Sequence, residues 1–175
     1  MAKRSTGLIS SLKILYKNYG GWKSLLRSEY FYLSLILSGL CWRFAQNDQW
    51  SELAKSVLPT LSGFSIAAYA IFFAVLDERT REVLRAPAPE LNDRSPLLIL
   101  ASAISHAVVI QLSGLIMAIV YIAKPFPTLS GHEVEAKNIN IAFSSIGLFV
   151  TMYGIVLILA SILAIYRILE IRSRV

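Results

Sequence analysis

The sequence is poor in charged residues and has almost no cysteine. Only 16% of the 175 residues are charged and 55% are hydrophobic, and the mean hydropathy is +0.59. A soluble globular domain rarely has this composition. The single cysteine, Cys41, excludes an intrachain disulfide and the paired-cysteine chemistry of four-helix disulfide oxidoreductases. The composition therefore indicates an integral membrane protein.

Acidic residues are missing from the long apolar segments, which weakens several functional interpretations. A proton-coupled drug exporter normally needs a buried acid. A metal site needs more ligands than His106 and His132 can supply together. A membrane serine hydrolase would need a Gly-x-Ser-Gly turn, but the segment around Ser113 reads QLSGL. We therefore predict that the protein is not an enzyme and uses no metal or cofactor.

Four apolar segments within residues 29–168 are predicted to cross a bilayer as α-helices. Crossing the ~30 Å hydrocarbon core takes about 20 apolar residues in a helix. The first segment is the shortest, since the fifteen residues from Tyr30 to Phe44 reach only about 22 Å. In the second, Pro59 is expected in the first turns, where proline is best tolerated. The predicted spans are residues 30–45, 53–76, 97–123 and 139–166.

The segment before the first span mixes basic and apolar residues. Residues 1–28 contain six Lys or Arg residues and lack a small-residue cleavage site, so we expect them to stay on the mature chain. Their first half is predicted to form an amphipathic helix on the cytoplasmic membrane surface, held by apolar burial and anionic lipid headgroups. Gly20 and Gly21 are expected to end that helix.

Lysine and arginine are distributed unevenly between the two sets of loops. Thirteen lie before span one, between spans two and three, or after span four, and four lie in the remaining loops. The positive-inside rule then places both termini, including the tail 169–175, in the cytoplasm of a bacterial cell and requires an even number of crossings. The net charge of +6 is explained by this topology. Nucleic-acid binding by the basic leader is the weaker alternative.

Small residues recur at helical spacing in two of the spans. Because helices in lipid associate through close packing, such stripes indicate helix contacts. The stripes are Gly63, Ala67 and Ala70 in span two, and Gly147, Thr151 and Gly154 in span four. We expect contacts within one subunit, and an intersubunit seam or a pore lining is the alternative.

His106 is the one ionisable residue deep inside a predicted span. It lies about ten residues into span three, or about 15 Å, which is near the middle of the bilayer. Ser102 and Ser113 are predicted to share its helix face, whereas Gln111 points elsewhere. These four residues form a candidate polar pathway. The structural alternative is a neutral imidazole that is hydrogen-bonded to a neighbouring group.

Two stretches of the sequence resemble a known group of proteins. They read YGGWKSLLRSEYFYLSLIL at the first span, and LPTLSGFSIAAYAIFFAVLDERTR followed by SHAVVIQ across spans two and three. They are similar to small bacterial four-span membrane proteins, some of which accompany phage-defence operons of the Kiwa or Hailong kind. The resemblance implies an oligomeric membrane sensor or a pore-forming effector, and it assigns no role to particular residues.

Two functional hypotheses follow from these features. The first is a homo-oligomeric inner-membrane protein that forms or gates an ion pathway, controlled by the basic leader and the loop from Asp77 to Arg85. The second is a non-conducting anchor that holds a cytoplasmic protein partner at the membrane. Membrane lipid is a partner in both hypotheses.

Overall fold

The structure, a computed structural model, describes residues 7–88, 94–123 and 133–173. The described chain is all-helical, which confirms the helical part of the predicted fold class. His132 and the other residues of the segment 124–132, between the predicted third and fourth spans, lie outside the described residues. The helices are α1 (Leu8–Tyr19), α2 (Gly21–Leu26), α3 (Glu29–Leu40), α4 (Trp42–Gln46), α5 (Gln49–Val75), α6 (Glu78–Arg85), α7 (Pro96–Ile122) and α8 (Glu133–Ser173).

Three of these helices are long and apolar enough to cross a membrane. Their apolar stretches are Gln49–Ala74 in α5, Pro96–Ile122 in α7 and Ala136–Tyr166 in α8. The three helices pack against one another. Large apolar side chains such as Phe64 and Ile116 are exposed on the outside, while polar side chains are buried between the helices. This inverted distribution is expected of a protein that lipid surrounds.

Helix α5 begins earlier than the sequence indicates. It starts at Gln49 rather than near Leu53, so Pro59 lies well inside the helix and not in its first turns. The expectation about Pro59 is therefore wrong, and the carbonyl of Lys55 loses its usual amide donor. Helix α8 extends beyond both ends of the predicted span 139–166 and includes most of the predicted tail.

The predicted first span is not one continuous helix. Helix α3 has 12 residues, reaches about 18 Å and ends at Cys41, where the short α4 follows. The hydroxyls of Ser34 and Ser38 donate to carbonyls one turn earlier, at 2.6 and 2.7 Å, an arrangement that bends helices. Both α3 and α4 pack against α8. The described chain therefore has two short helices where one span was expected.

The N-terminal helix α1 forms where the sequence predicts it. It ends at Gly20, which has a φ of 117° and donates its N–H to the carbonyl of Tyr16. Gly21 also has a positive φ, 78°, so the two glycines make the turn into α2 that was predicted for them. Helix α1 lies against α7, a contact that the sequence did not indicate.

The loop from Asp77 to Arg85 is also ordered and packs against α7. It contains a separate helix, because α5 ends at Val75 and α6 starts at Glu78. The carboxylate of Asp77 accepts from the N–H of Thr80 at 2.7 Å and caps α6. The guanidinium of Arg81 donates to two carbonyls at the end of α5, at 3.1 and 3.2 Å. These bonds fix α6 beside the end of α5.

Candidate functional site

His106 is completely buried in the middle of α7. Its Nε2 atom and the hydroxyl of Tyr153 on α8 share a hydrogen bond of 3.0 Å. The other ring nitrogen, Nδ1, has no hydrogen-bond partner among the described residues. A buried polar atom without a partner costs free energy, and such atoms in native proteins often mark functional positions. Only one of the two ring nitrogens of His106 therefore has a hydrogen-bond partner among the described residues.

Two tyrosines of α1 cover the imidazole on the side away from the bundle core. The ring centroids of Tyr16 and Tyr19 lie 5.6 and 4.6 Å from that of His106. The two tyrosines are three positions apart in sequence, which places them on one face of α1. The ring of Tyr153 also lies beside His106, with a centroid distance of 5.7 Å, so four polar aromatic rings form one cluster. We call Tyr16, Tyr19, His106 and Tyr153 the aromatic cluster.

Partial burial against α7 changes the acidity of the two phenols on α1. Loss of solvent raises the pKa of both Tyr16 and Tyr19 above the ordinary tyrosine value. Both side chains therefore stay neutral at physiological pH and keep a hydroxyl proton to donate. The side chains of α1 that cover His106 are therefore neutral and aromatic.

Ser102 and Ser113 lie on the same stripe of α7 as His106 but in different surroundings. Ser102 is buried, and its hydroxyl donates to the carbonyl of Ile99 at 2.9 Å. Ser113 is exposed, and its hydroxyl donates to the carbonyl of Val109 at 2.7 Å. Ser113 lies seven residues, or about two turns, beyond the level of the aromatic cluster. This face of α7 is therefore buried at Ser102 and His106 and exposed at Ser113.

Gln111 joins the three long helices through polar contacts. Its amide nitrogen donates to the carbonyl of Gly154 on α8 at 3.1 Å, and its amide oxygen accepts from the hydroxyl of Ser65 on α5 at 3.4 Å. The side chain is completely buried. Gln111 thus points away from His106, as its position in the helix predicts, and has a structural contact of its own.

The small residues of α8 lie at close helix contacts. A Cβ atom added to Gly147 would lie 2.4 Å from the buried ring of Trp50, and one added to Gly154 would lie 3.2 Å from Leu58. The hydroxyl of Thr151 donates to the carbonyl of Gly147 at 2.8 Å and is fully buried. Because these glycines have no side chain, α5 and the indole ring of Trp50 can approach α8 closely.

The small residues of α5 point away from every described helix. Gly63, Ala67 and Ala70 are all exposed. A Cβ atom added to Gly63 would meet nothing within 4 Å, so no close contact lies there. Within this single chain the α5 stripe makes none of the packing that was expected, and the intersubunit seam stays a prediction.

The most informative side chains of the site were not identified from the sequence. Tyr16 and Tyr19 were treated only as part of an amphipathic leader, and Tyr153 and Trp50 were not singled out. A phenol near the middle of an otherwise apolar span is the signal that could have indicated Tyr153. No group of three His, Cys, Asp or Glu side chains able to hold a metal occurs among the residues that the structure describes.

Comparisons with known proteins give no identification. The chain matches no protein-family profile, no curated protein and no solved structure.

Proposed function

We propose that the protein is a homo-oligomeric membrane protein that forms or gates an ion pathway, with α1 as its gating element. The supporting observation is the aromatic cluster. An ionisable side chain at mid-membrane depth is a functional candidate by default. Here α1, a helix outside the three-helix core, covers that side chain and leaves Nδ1 without a partner. Movement of α1 would uncover His106 without unfolding the core.

Helix α1 lies on α7, and its composition would also suit a lipid surface, which supports a gating role. In the structure its tyrosines lie on α7, while Leu8, Ile9 and Ile14 remain exposed. Lys13 and Lys17 are exposed as well. A helix with apolar and basic side chains also binds at a lipid surface through burial and attraction to anionic headgroups. The docked and the surface-bound positions would then be the closed and open states of a two-state switch.

The proposed topology has four crossings, with both termini in the cytoplasm of a bacterial inner membrane. Helices α3 and α4 supply the first crossing in two pieces. The residues from Glu29 to Gln46 reach about 27 Å at a helical rise, close to the thickness of the hydrocarbon core. The distribution of Lys and Arg supports an even number of crossings.

The proposed oligomer uses the exposed stripe of α5. Gly63, Ala67 and Ala70 would let the α5 helices of two copies approach closely, as small residues do in other membrane helices. In such an assembly, the exposed Ser113 and the uncovered His106 would together hydrate a path along α7. The sequence resemblance to membrane subunits of phage-defence operons supports a role as the sensor or effector of such a system.

The direct test is ion flux through liposomes that contain the purified protein. Replacing Tyr19 by alanine removes one side of the aromatic cover, so we expect ion flux to rise about tenfold. The matched control is Tyr32→Ala, because Tyr32 is an exposed tyrosine of α3 that does not contact His106. The control should behave as the unaltered protein does. Absence of flux under all conditions, together with a monomeric mass, would overturn the proposal.

A non-conducting anchor is the second candidate, and the surface of α6 favours it. The hydrogen bonds of Arg81 hold this helix in place, and its exposed charged side chains are suited to a polar partner: Glu78, Arg79, Glu82 and Arg85. An anchor should lose its cytoplasmic partner in an Arg79→Glu, Arg85→Glu double variant. It should keep both partner and phenotype when His106 and Gln111 are replaced by leucine, whereas an ion pathway should lose activity.

A further inference from the structure

An open cavity of about 560 Å³ lies at the junction of α1, α2 and α3. The turn at Gly20 and the start of α3 form its walls, so one short segment of chain builds the whole site. Its lining combines polar and apolar surface and is drawn from neighbouring positions in sequence: Tyr19, Gly20, Lys23, Ser24, Arg27, Ser28, Glu29 and Tyr30. This cavity is separate from the polar residues of α7, except that Tyr19 belongs to both the cavity and the aromatic cluster.

Cationic groups outnumber acidic ones around this cavity. Lys23 and Arg27 line it and form no ion pair within the described part of the chain, and Glu29 is the one acid in the lining. A third cation is close, because a guanidinium nitrogen of Arg94 would lie 3.3 Å from a Cβ atom added to Gly20. Three cations and one carboxylate leave a net positive charge at this cavity, which a bound anion would neutralise.

Hydrogen-bond donors suited to an anion accompany these cations. The cavity includes the first residues of α3, where helix geometry leaves the N–H groups of Glu29 and Tyr30 without acceptors inside the helix. The side chain of Ser28, the residue before the helix, does not cap them. Such amides and the helix dipole favour a negative group, and lysine and arginine favour a phosphate in particular.

We propose that the cavity between α1 and α3 binds a phosphate group, with Lys23 and Arg27 as its cationic ligands. The source of the phosphate is the headgroup of an anionic phospholipid or a free phosphate compound. A bound phosphate would neutralise the cations at the turn between α1 and α2. It would also hold the start of α3 next to Tyr19. Binding at this site does not depend on ion conduction by the protein.

Native mass spectrometry of the full chain in a neutral detergent tests the proposal. The probes are dioleoyl-phosphatidylglycerol, dioleoyl-phosphatidylcholine and inorganic phosphate. We expect the Lys23→Gln, Arg27→Gln variant to bind the anionic probe about thirtyfold more weakly than the unaltered chain. The matched control is Lys13→Gln, Lys17→Gln, which removes the same charge from exposed positions of α1 that do not line the cavity. The control should lose less than about threefold.

The probes separate the two sources of phosphate. Tight binding of phosphatidylglycerol that millimolar inorganic phosphate does not displace identifies a lipid site. Equal binding of inorganic phosphate alone identifies a site for a soluble phosphate compound. Equal losses in the two double variants, or binding of phosphatidylcholine as tight as that of phosphatidylglycerol, would overturn the proposal. The Lys23→Arg variant should retain binding, and the circular dichroism of every variant should match that of the unaltered chain.

Discussion

Two contacts of the helical core differ in how firmly the chain holds them. At the contact between α5 and α8, the ring of Trp50 fills the space above Gly147 and leaves no room for a methyl group. At the contact between α1 and α7, Tyr16 and Tyr19 lie beside His106, whose Nδ1 remains unpartnered. The first contact fixes the fold, whereas the second is suited to open and close. Each contact contains a buried polar atom without a partner among the described residues, Nε1 of Trp50 and Nδ1 of His106, so the tightness of the packing is what distinguishes the two contacts.

The largest effect is expected where the packing is tightest. A Gly147→Ala substitution would place a Cβ atom 2.4 Å from the Trp50 ring, which is fully buried and cannot move aside. We expect the free energy of unfolding to fall by about 2 kcal/mol, as in other overpacked cores. The measurement is equilibrium unfolding in mixed micelles.

Gly39→Ala is the matched control for this substitution. It makes the same chemical change in helix α3, at a position with open space around it and outside the proposed seam of α5. Alanine favours a helix over glycine by up to about 1 kcal/mol, so this variant should be as stable as the unaltered chain or slightly more stable. Equal destabilisation by both substitutions would show that the contact at Trp50 is not special.

A smaller effect is expected at the polar contact among the three long helices. Gln111→Leu removes the hydrogen bond to the Gly154 carbonyl and leaves the Ser65 hydroxyl without that partner. We expect a loss of about 1 kcal/mol in the free energy of unfolding, the usual size of a hydrogen bond between membrane helices. Ser113→Leu, at an exposed position of the same helix, should change stability little. A Gln111→Leu variant as stable as the unaltered chain would contradict the structural role.

The sequence predicts the long helices well because length and hydrophobicity alone define them. The apolar stretches of α5, α7 and α8 agree with the predicted second, third and fourth spans. The ends of the helices are less predictable, because a helix can continue past the apolar stretch, as α8 does to Ser173. The predicted first span is divided into two helices, because hydrophobicity does not reveal the break at Cys41.

The sequence did not predict which helix each helix face contacts. The stripes at Gly63 and Gly147 have the same pattern, yet only the second lies against another helix, because the bulk of Trp50 on a distant segment decides the contact. The depth of His106 was predicted from its place in α7, but its cover was not. The face of α1 that carries Tyr16 would suit lipid as well as it suits α7, so periodicity could not choose between them.

Hydrogen–deuterium exchange of the α1 amides tests the central claim most directly, namely that α1 lies docked over His106 and can leave it. The experiment uses the full chain in lipid nanodiscs and compares it with the Tyr19→Ala variant. The account predicts slow exchange across Leu8–Tyr19 in the unaltered chain, about tenfold faster exchange in the variant, and no change in α8. Equally fast exchange of α1 in both proteins would show that the helix is not docked and would contradict the account.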